Sequence, residues 1–198
     1  MARYLGELST DVYGLTVDEG KLGVLNITAA QAAASDADGI LNDQATSASV
    51  VTTVTTFLAQ PPYPRNLTIT PGGTTADVPA GNVTVTGTNY ANEVISEDFA
   101  FLANATAATV GAKAFKTVTS IVFPIQDGAA ATYDVGFGEK LGLPFKSAYN
   151  AVLGATFDGV RETTFPTVTL SASALESNTI DLNSSLDGKA VKVFLALD

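Results

Sequence analysis

The residues best suited to chemistry in this sequence are carboxylates that occur in pairs. Two carboxylic acids can hydrolyse a glycosidic bond, one as the acid and the other as the nucleophile or base. Three pairs have suitable spacing: Glu97 with Asp98, Asp134 with Glu139, and Asp158 with Glu162. The chain has no Trp and only 8% aromatic residues, whereas sugar clefts are usually lined by aromatic rings. We therefore interpret these carboxylates as side chains of turns and solvent-facing positions, with a carbohydrate-binding or depolymerising module as the alternative.

The residue types that are missing restrict the chemistry further. The chain has no His and no Cys. This composition excludes the Ser-His-Asp triad, the Cys-His dyad, acid–base catalysis by histidine and nearly all zinc sites. The sequence therefore predicts a protein that is not an enzyme, with no catalytic residue, no cofactor and no metal site.

Two further patterns resemble ligand-binding loops without matching them. Oxygen ligands are dense at Asp36, Asp38, Asn42 and Asp43, but their spacing does not fit an EF-hand. A capped turn is the simpler interpretation, with a calcium site as the alternative. The glycine-rich run 136–142 lacks the Gly-Lys-Ser/Thr of a phosphate-binding loop, so it predicts a β-turn or a β-bulge.

Charge indicates which partners the protein could have. The formal net charge is −10, and the ten basic residues are scattered along the chain. Binding to a phosphate backbone needs clustered Lys and Arg, so nucleic acid is not an expected partner. No apolar run is long enough to span a bilayer, and residues 1–7 lack the apolar segment of a signal peptide. Lys113 and Lys116 could form an interface contact or guard a strand edge.

The overall composition is typical of a subunit of an assembly. Hydrophobic residues make up 46% of the chain, but charged residues only 15%, which is below the usual quarter. Much of the surface must then be Thr, Ser, Asn, Gly and Ala. Such a surface is common where much of it is covered by neighbouring subunits.

The prolines at positions 61, 62 and 64 divide the chain into two parts. We predict an N-terminal arm or extra layer at 1–60 and a β-sandwich domain at 61–198. The Ala-rich segment 29–34 predicts a short helix capped by Thr28, with Gln31 as its partner in a capping box. Segment 47–58 has both helical spacing and strand-forming residues, and we favour a strand.

Short strand-like runs follow the prolines at intervals of about ten residues. They lie at 66–70, 82–86, 93–101, 115–123, 132–135, 149–157, 167–172 and 190–197. This pattern predicts a mainly β fold, an antiparallel sandwich or barrel-like domain with an N-terminal extension that contains the short helix.

An ordered series of segments between residue 64 and about residue 145 resembles small β-rich virion proteins of tailed bacteriophages. The segments are Pro-Arg-Asn at 64–66, Val-Thr-Gly-Thr at 85–88, Ala-Phe-Lys-Thr-Val-Thr-Ser-Ile at 114–121 and Gly-Glu-Lys-Leu-Gly-Leu-Pro at 138–144. The resemblance covers about 40% of the chain strongly. It implies a structural protein of the virion, made in the host cytoplasm.

Within a virion, the resemblance implies a capsid decoration or cement protein that stabilises the head. The expected partners are the major capsid protein and copies of the chain itself, as a trimer by analogy. A neck, tail or fibre-base subunit is the alternative, because sandwich modules occur in all these places.

Overall fold

The computed structural model describes residues 21–197, which form a mainly β, antiparallel fold. These residues contain fourteen strands and two single-turn 3-10 helices, at Thr75–Asp77 and Leu175–Ser177. The strands are β1 (Lys21–Ile27), β2 (Asp36–Ala45), β3 (Thr52–Val54), β4 (Arg65–Gly73), β5 (Gly81–Thr88), β6 (Val94–Phe101), β7 (Thr109–Val110), β8 (Thr117–Phe123), β9 (Ala131–Gly142), β10 (Val152–Phe157), β11 (Val160–Arg161), β12 (Thr167–Thr169), β13 (Thr179–Asp181) and β14 (Val191–Leu197). The prediction of a mainly β, antiparallel protein is confirmed.

Alternation of apolar and polar residues accounts for most of the predicted strands. In β5, Val83 and Val85 are buried, whereas Asn82, the residue before Val83, is exposed. Successive side chains of a strand point to opposite faces, so this pattern buries one face and leaves the other in water. β8 buries Val118, Ile121 and Phe123, and a register shift against β5 between Val118 and Ser120 brings Val118 to the same face as the other two.

The strands form three sheets. The first has the order β1-β14-β10-β11, the second β12-β13-β9-β4-β7 with β2 also paired to β9, and the third β3-β8-β5-β6. β9 is the longest strand and has partners on both sides. β4 runs along one side, while β2 pairs with its first half and β13 with its end on the other.

The fold has two apolar cores, one at the first part of β9 and the other at its end. The first core takes buried residues from the second and third sheets, among them Phe99, Phe123 and Tyr133. The second core takes residues from the first sheet and from the end of β9, including Val193 and Leu141. β9 therefore joins the two cores within one continuous strand.

The predicted helix at 29–34 is wrong. Thr28 and Gln31 form the expected reciprocal capping contacts, with Thr28 N donating to Gln31 Oε1 at 3.0 Å and Gln31 N to Thr28 Oγ1 at 3.4 Å. Only one turn follows, closed by the Ala32 N–Thr28 O hydrogen bond of 2.9 Å. A short isolated helix is marginal, and pairing with β9 extends the chain as β2 from Asp36 onward.

The strands before the prolines are integral to the sheets. β1 pairs with β14, β2 with β9 and β3 with β8. Segment 47–58, for which we favoured a strand, forms one over only three residues, those of β3. Residues 1–20 of the predicted arm lie outside the described part of the chain.

Candidate interaction surface

Glu97 and Asp98 do not form a carboxylate pair. They are consecutive on β6, so their side chains point to opposite faces. Glu97 Oε1 accepts a hydrogen bond from the Ala112 backbone N at 2.7 Å, and both of its oxygens lie 3.3 Å from Lys113 N. Asp98 Oδ1 accepts one from Thr84 Oγ1 at 2.6 Å on the other face.

Burial raises the pKa of Glu97, and its backbone hydrogen bonds from Ala112 and Lys113 partly oppose the shift. The carboxylate holds the loop that follows β7 against β6. Its environment is that of a structural group, because its oxygens are occupied by backbone donors.

Asp134 and Glu139 both lie on β9 but bind different segments. Asp134 Oδ1 accepts a hydrogen bond from Asp43 N at 2.7 Å. Glu139 Oε2 accepts one from Leu186 N at 2.7 Å. The two carboxylates therefore fasten β2 and the loop before β14 to the central strand.

Asp158 and Glu162 line a common depression. This depression, of about 330 Å³, lies beside the β10–β11 hairpin and is also lined by Arg161 and Lys189. Glu162 Oε2 accepts a hydrogen bond from Ser184 N at 3.1 Å, and Lys189 Nζ lies 3.8 Å from Asp158 Oδ2. The Lys189 and Asp158 side chains are about half exposed, so this ion pair adds little stability.

The oxygen-rich segment near Asp36 contains no converging ligand set. Asn42 Nδ2 donates to Asp38 Oδ2 at 2.6 Å, and Asp38 N donates to Asp36 Oδ1 at 3.3 Å. The hydrogen bond and charge of Asp36 raise the pKa of Asp38. Across residues 21–197, no group of three or more acidic, His or Cys side chains is placed to hold a metal ion.

The glycine-rich run lies inside β9 and contains the predicted bulge. Between the pairs Arg65–Leu141 and Leu67–Phe137 the register shifts, so β9 has extra residues there. Asn66 Oδ1 accepts a hydrogen bond from Lys140 N at 2.9 Å. A Cβ on Gly138 would lie 2.6 Å from Asn66 Nδ2, so glycine at 138 allows this side chain to fill the bulge.

Arg65 is a fully buried cation beside the same bulge. Its Nε donates to Gly138 O at 2.7 Å and its Nη1 to Ala33 O at 2.6 Å, while the guanidinium lies 4.9 Å from the centre of the Phe137 ring. Burial lowers the pKa of Arg65 to about 10, and the charge of Glu139 partly opposes the shift. The group therefore stays charged at neutral pH and ties the Ala33 turn to β9.

The two predicted interface lysines are bound to their own neighbours. Lys113 Nζ donates to Ser96 O at 2.6 Å, and Lys116 Nζ donates to Asn92 Oδ1 at 2.7 Å. Lys116 also lines a groove of about 330 Å³ with the proline segment, Tyr63 and Tyr90. Tyr63 is buried and donates its hydroxyl to Gly142 O at 3.0 Å, which leaves Tyr90 as the more accessible ring.

The first sheet carries an exposed apolar surface that the sequence did not reveal. Its strands β1, β14 and β10 bury Ile27, Val191 and Val193 in the second core. The alternate residues point outward, and four of them are large and apolar: Leu22 (80% exposed), Val24 (48%), Leu153 (49%) and Phe194 (38%). We refer to this side of the sheet, formed by β1, β14, β10 and β11, as the outer face.

Strand pairing brings these apolar residues together. Val24 is the register partner of Phe194, and Leu22 is the partner of Ala196. Gly154 pairs with Phe194 from the other side, next to the bulge that contains Leu153. A depression of about 360 Å³ lies here between β10 and β14, because Gly154 has no side chain to fill it.

The outer face differs in charge from the rest of this acidic chain. Beyond its apolar end lie Asn26 and Lys192, which are register partners, and Arg161. Among the outward-pointing residues that the structure describes on these four strands, none is Asp or Glu. Another surface can therefore approach the outer face without placing buried carboxylates in the contact.

Comparisons with protein-family models, with curated proteins and with solved structures find no match to this chain. In residues 21–197, no helix has the length and apolar character needed to cross a membrane.

Proposed function

We propose that this chain is a structural protein of a tailed-phage virion that works by packing against copies of itself and neighbouring subunits. In this proposal it decorates the head and stabilises it on the major capsid protein, with the cores between its sheets acting as a sandwich-like scaffold. The single observation that carries the proposal is the outer face, which is apolar at one end and free of carboxylates.

The energetics of solvent exposure support an assembly role. Leu22, Val24, Leu153 and Phe194 are neighbours on one surface and not scattered singly. Apolar area gains about 25 cal/mol for each Å² removed from water, and contiguous apolar patches of this kind are typical of contact sites. The low charge content of 15% and the resemblance of residues 64–145 to phage virion proteins support the same proposal.

The carboxylate positions favour this proposal over a depolymerase. Glu97 with Asp98 and Asp134 with Glu139 bind separate structural partners. Asp158 and Glu162 share a depression, but they are bound by Lys189 and by Ser184 N.

The proposal is tested by locating the protein in phage particles. Purified virions would be labelled with an antibody against the chain and imaged by cryo-electron microscopy. We expect label and density at regular positions on the head. Density at the neck, tail or fibre base would replace the head assignment with the alternative one, and absence of the chain from intact particles would reject a virion role.

A variant on the outer face tests whether assembly of the chain on the particle depends on this surface. The Leu22→Lys protein, changed at a residue that is 80% exposed, would be supplied to particles that lack the chain. We expect reduced incorporation relative to Leu102→Lys, a control at an equally exposed leucine (81%) outside this sheet. Equal incorporation of both variants would show that another surface binds the particle.

A further inference from the structure

We infer that the occupant of the outer face is the same face of a second copy of this chain. This inference rests on the proposed assembly role and names the partner and the geometry of one contact. It concerns the apolar end of the face, formed by Leu22, Val24, Leu153, Phe194 and Ala196.

Charge makes the outer face the surface on which two copies of this acidic chain can meet. The chain carries twice as many acidic as basic residues, 20 against 10, so most pairs of its surfaces would bring carboxylates together. Within residues 21–197, the outward positions of the first sheet avoid this because they contain no Asp or Glu. Two such faces can desolvate each other without burying an unpaired carboxylate, which would be costly.

The order of residues along the strands fixes the symmetry. Lys192 and Arg161 lie at one end of the face and the apolar residues at the other. A two-fold axis that runs across the strands at the level of Leu195 and its register partner Val152 would superimpose the two apolar ends. The same rotation would carry the basic ends outward in opposite directions, so the cations would not meet.

This symmetry also matches large residues with small ones. Phe194 and Ala196 are two residues apart on β14, and Leu153 is the extra residue of the bulge beside them. Rotation about the axis places Phe194 of one copy opposite Ala196 of the other, and it brings the two Leu153 side chains close together beside the axis. Such a contact is isologous, since each copy contributes the same patch.

The size of the face predicts a weak contact. β1, β14 and β10, with seven, seven and six residues, cover at most roughly 14 Å by 24 Å, or about 340 Å² of flat area. The two-fold contact covers only the apolar part of this area. A standard interface buries about 800 Å² on each partner. We therefore expect dissociation constants in the micromolar range or weaker for the free protein, with the contact strengthened where copies are held close together on a shell.

Disulfide trapping tests this contact, because the chain has no native Cys. The full-length Leu153→Cys protein would be oxidised mildly at about 100 µM and run on a non-reducing gel. Its matched control is Val51→Cys, at a residue of similar exposure (53% against 49%) outside this sheet. We expect Leu153→Cys to form covalent dimers at least about tenfold faster than the control.

A second substitution confirms the origin of the dimers. Phe194→Lys in the Leu153→Cys protein should reduce the rate to that of the control, and Leu22→Lys serves the same purpose if circular dichroism shows that Phe194→Lys is unfolded. Equal dimer formation by Leu153→Cys and Val51→Cys would overturn the inference, as would dimers that persist in both lysine variants.

Maleimide labelling of the same proteins distinguishes another occupant. If the thiol of the Leu153→Cys protein reacts much more slowly than that of the Val51→Cys protein while both are monomeric, another part of the chain covers the face and the inference fails. These outcomes do not depend on virions. A protein that dimerises through Leu153 but is absent from particles would refute the proposed function alone, and one that is present in particles but does not dimerise would refute this inference alone.

Discussion

The most demanding prediction concerns Asn178, a fully buried amide that organises the loop around the second 3-10 helix. Its Oδ1 accepts a hydrogen bond from Ser171 N at 2.8 Å, and its Nδ2 donates to Ser171 O at 3.0 Å and Ala174 O at 2.8 Å. The substitution Asn178→Asp keeps the shape of the side chain but removes both N–H donors.

The expected cost follows from these bonds. Each of the two part-buried carbonyls that is left without its donor costs about 1–3 kcal/mol. Since a carboxylate also faces those carbonyls in the variant, we expect a loss of about 3–5 kcal/mol in the free energy of unfolding at pH 7. This is a large part of the roughly 5–15 kcal/mol that is typical of a folded protein.

The loss should depend on pH with a definite sign. The site disfavours the charged form of the introduced carboxyl group, so the folded-state pKa of this group lies above its unfolded value of about 3.9. The charge-related loss is therefore absent below the unfolded value, and it grows as the pH rises toward the folded one. At pH 4 the protonated carboxyl donates one hydrogen bond again, and the loss should fall to about 1–2 kcal/mol.

Urea unfolding followed by far-ultraviolet circular dichroism measures this effect, because the chain has no Trp for fluorescence. Wild type and variant would be compared at pH 7 and pH 4, with Asn82→Asp as a control at an exposed asparagine of β5. A loss below about 1 kcal/mol at pH 7, or an equal loss at both pH values, would refute the assigned role of the amide.

Three other substitutions test the central strand and its neighbours. Gly136→Ala places a Cβ against the carbonyl oxygen of Asp36, and we expect the free energy of unfolding in urea to fall by about 3 kcal/mol or more. A fall below about 1 kcal/mol would contradict the close packing of β2 on β9. Arg65→Lys keeps the charge but cannot reproduce both hydrogen bonds to Gly138 O and Ala33 O. We expect the free energy of unfolding to fall by about 2–4 kcal/mol. An unchanged melting temperature would count against the assigned contacts. Glu97→Gln removes a carboxyl whose pKa is raised from 4.5 by burial. Wild type should therefore lose stability as the pH rises through and above 4.5. The melting temperature of the variant should depend less on pH between about pH 4 and pH 7. Parallel pH profiles of the two proteins would argue against this shift.

The sequence predicted the regular strands because their signal is local. In β5, Val83 and Val85 alternate with Asn82, Thr84 and Thr86, and this period of two is visible without any partner. The capping contacts of Thr28 and Gln31 were also predicted from local spacing. The helix that they suggested does not form, because pairing of β2 with β9 is a long-range contact that local propensity does not contain.

The segment Pro-Arg-Asn at 64–66 stands out in the sequence, but its structural role cannot be read from the sequence. In the sequence, these residues contribute only to a resemblance. In the fold, Arg65 and Asn66 are buried and bind the bulged part of β9 more than seventy residues away. A buried arginine could not be inferred from composition, since charged residues are seldom fully buried.

The sequence alone therefore determined which side chains the chain can use and where most of its strands run. The chain has no imidazole and no thiol whatever the fold, since it contains no His and no Cys, and local alternation defines a strand before its neighbours are known. Only the tertiary structure decided which residues share a surface. The outer face combines β1, β10 and β14, from residues 21–27, 152–157 and 191–197. No local pattern connects these segments, because the hydrogen bonds that place Val24 beside Phe194 join opposite ends of the described chain.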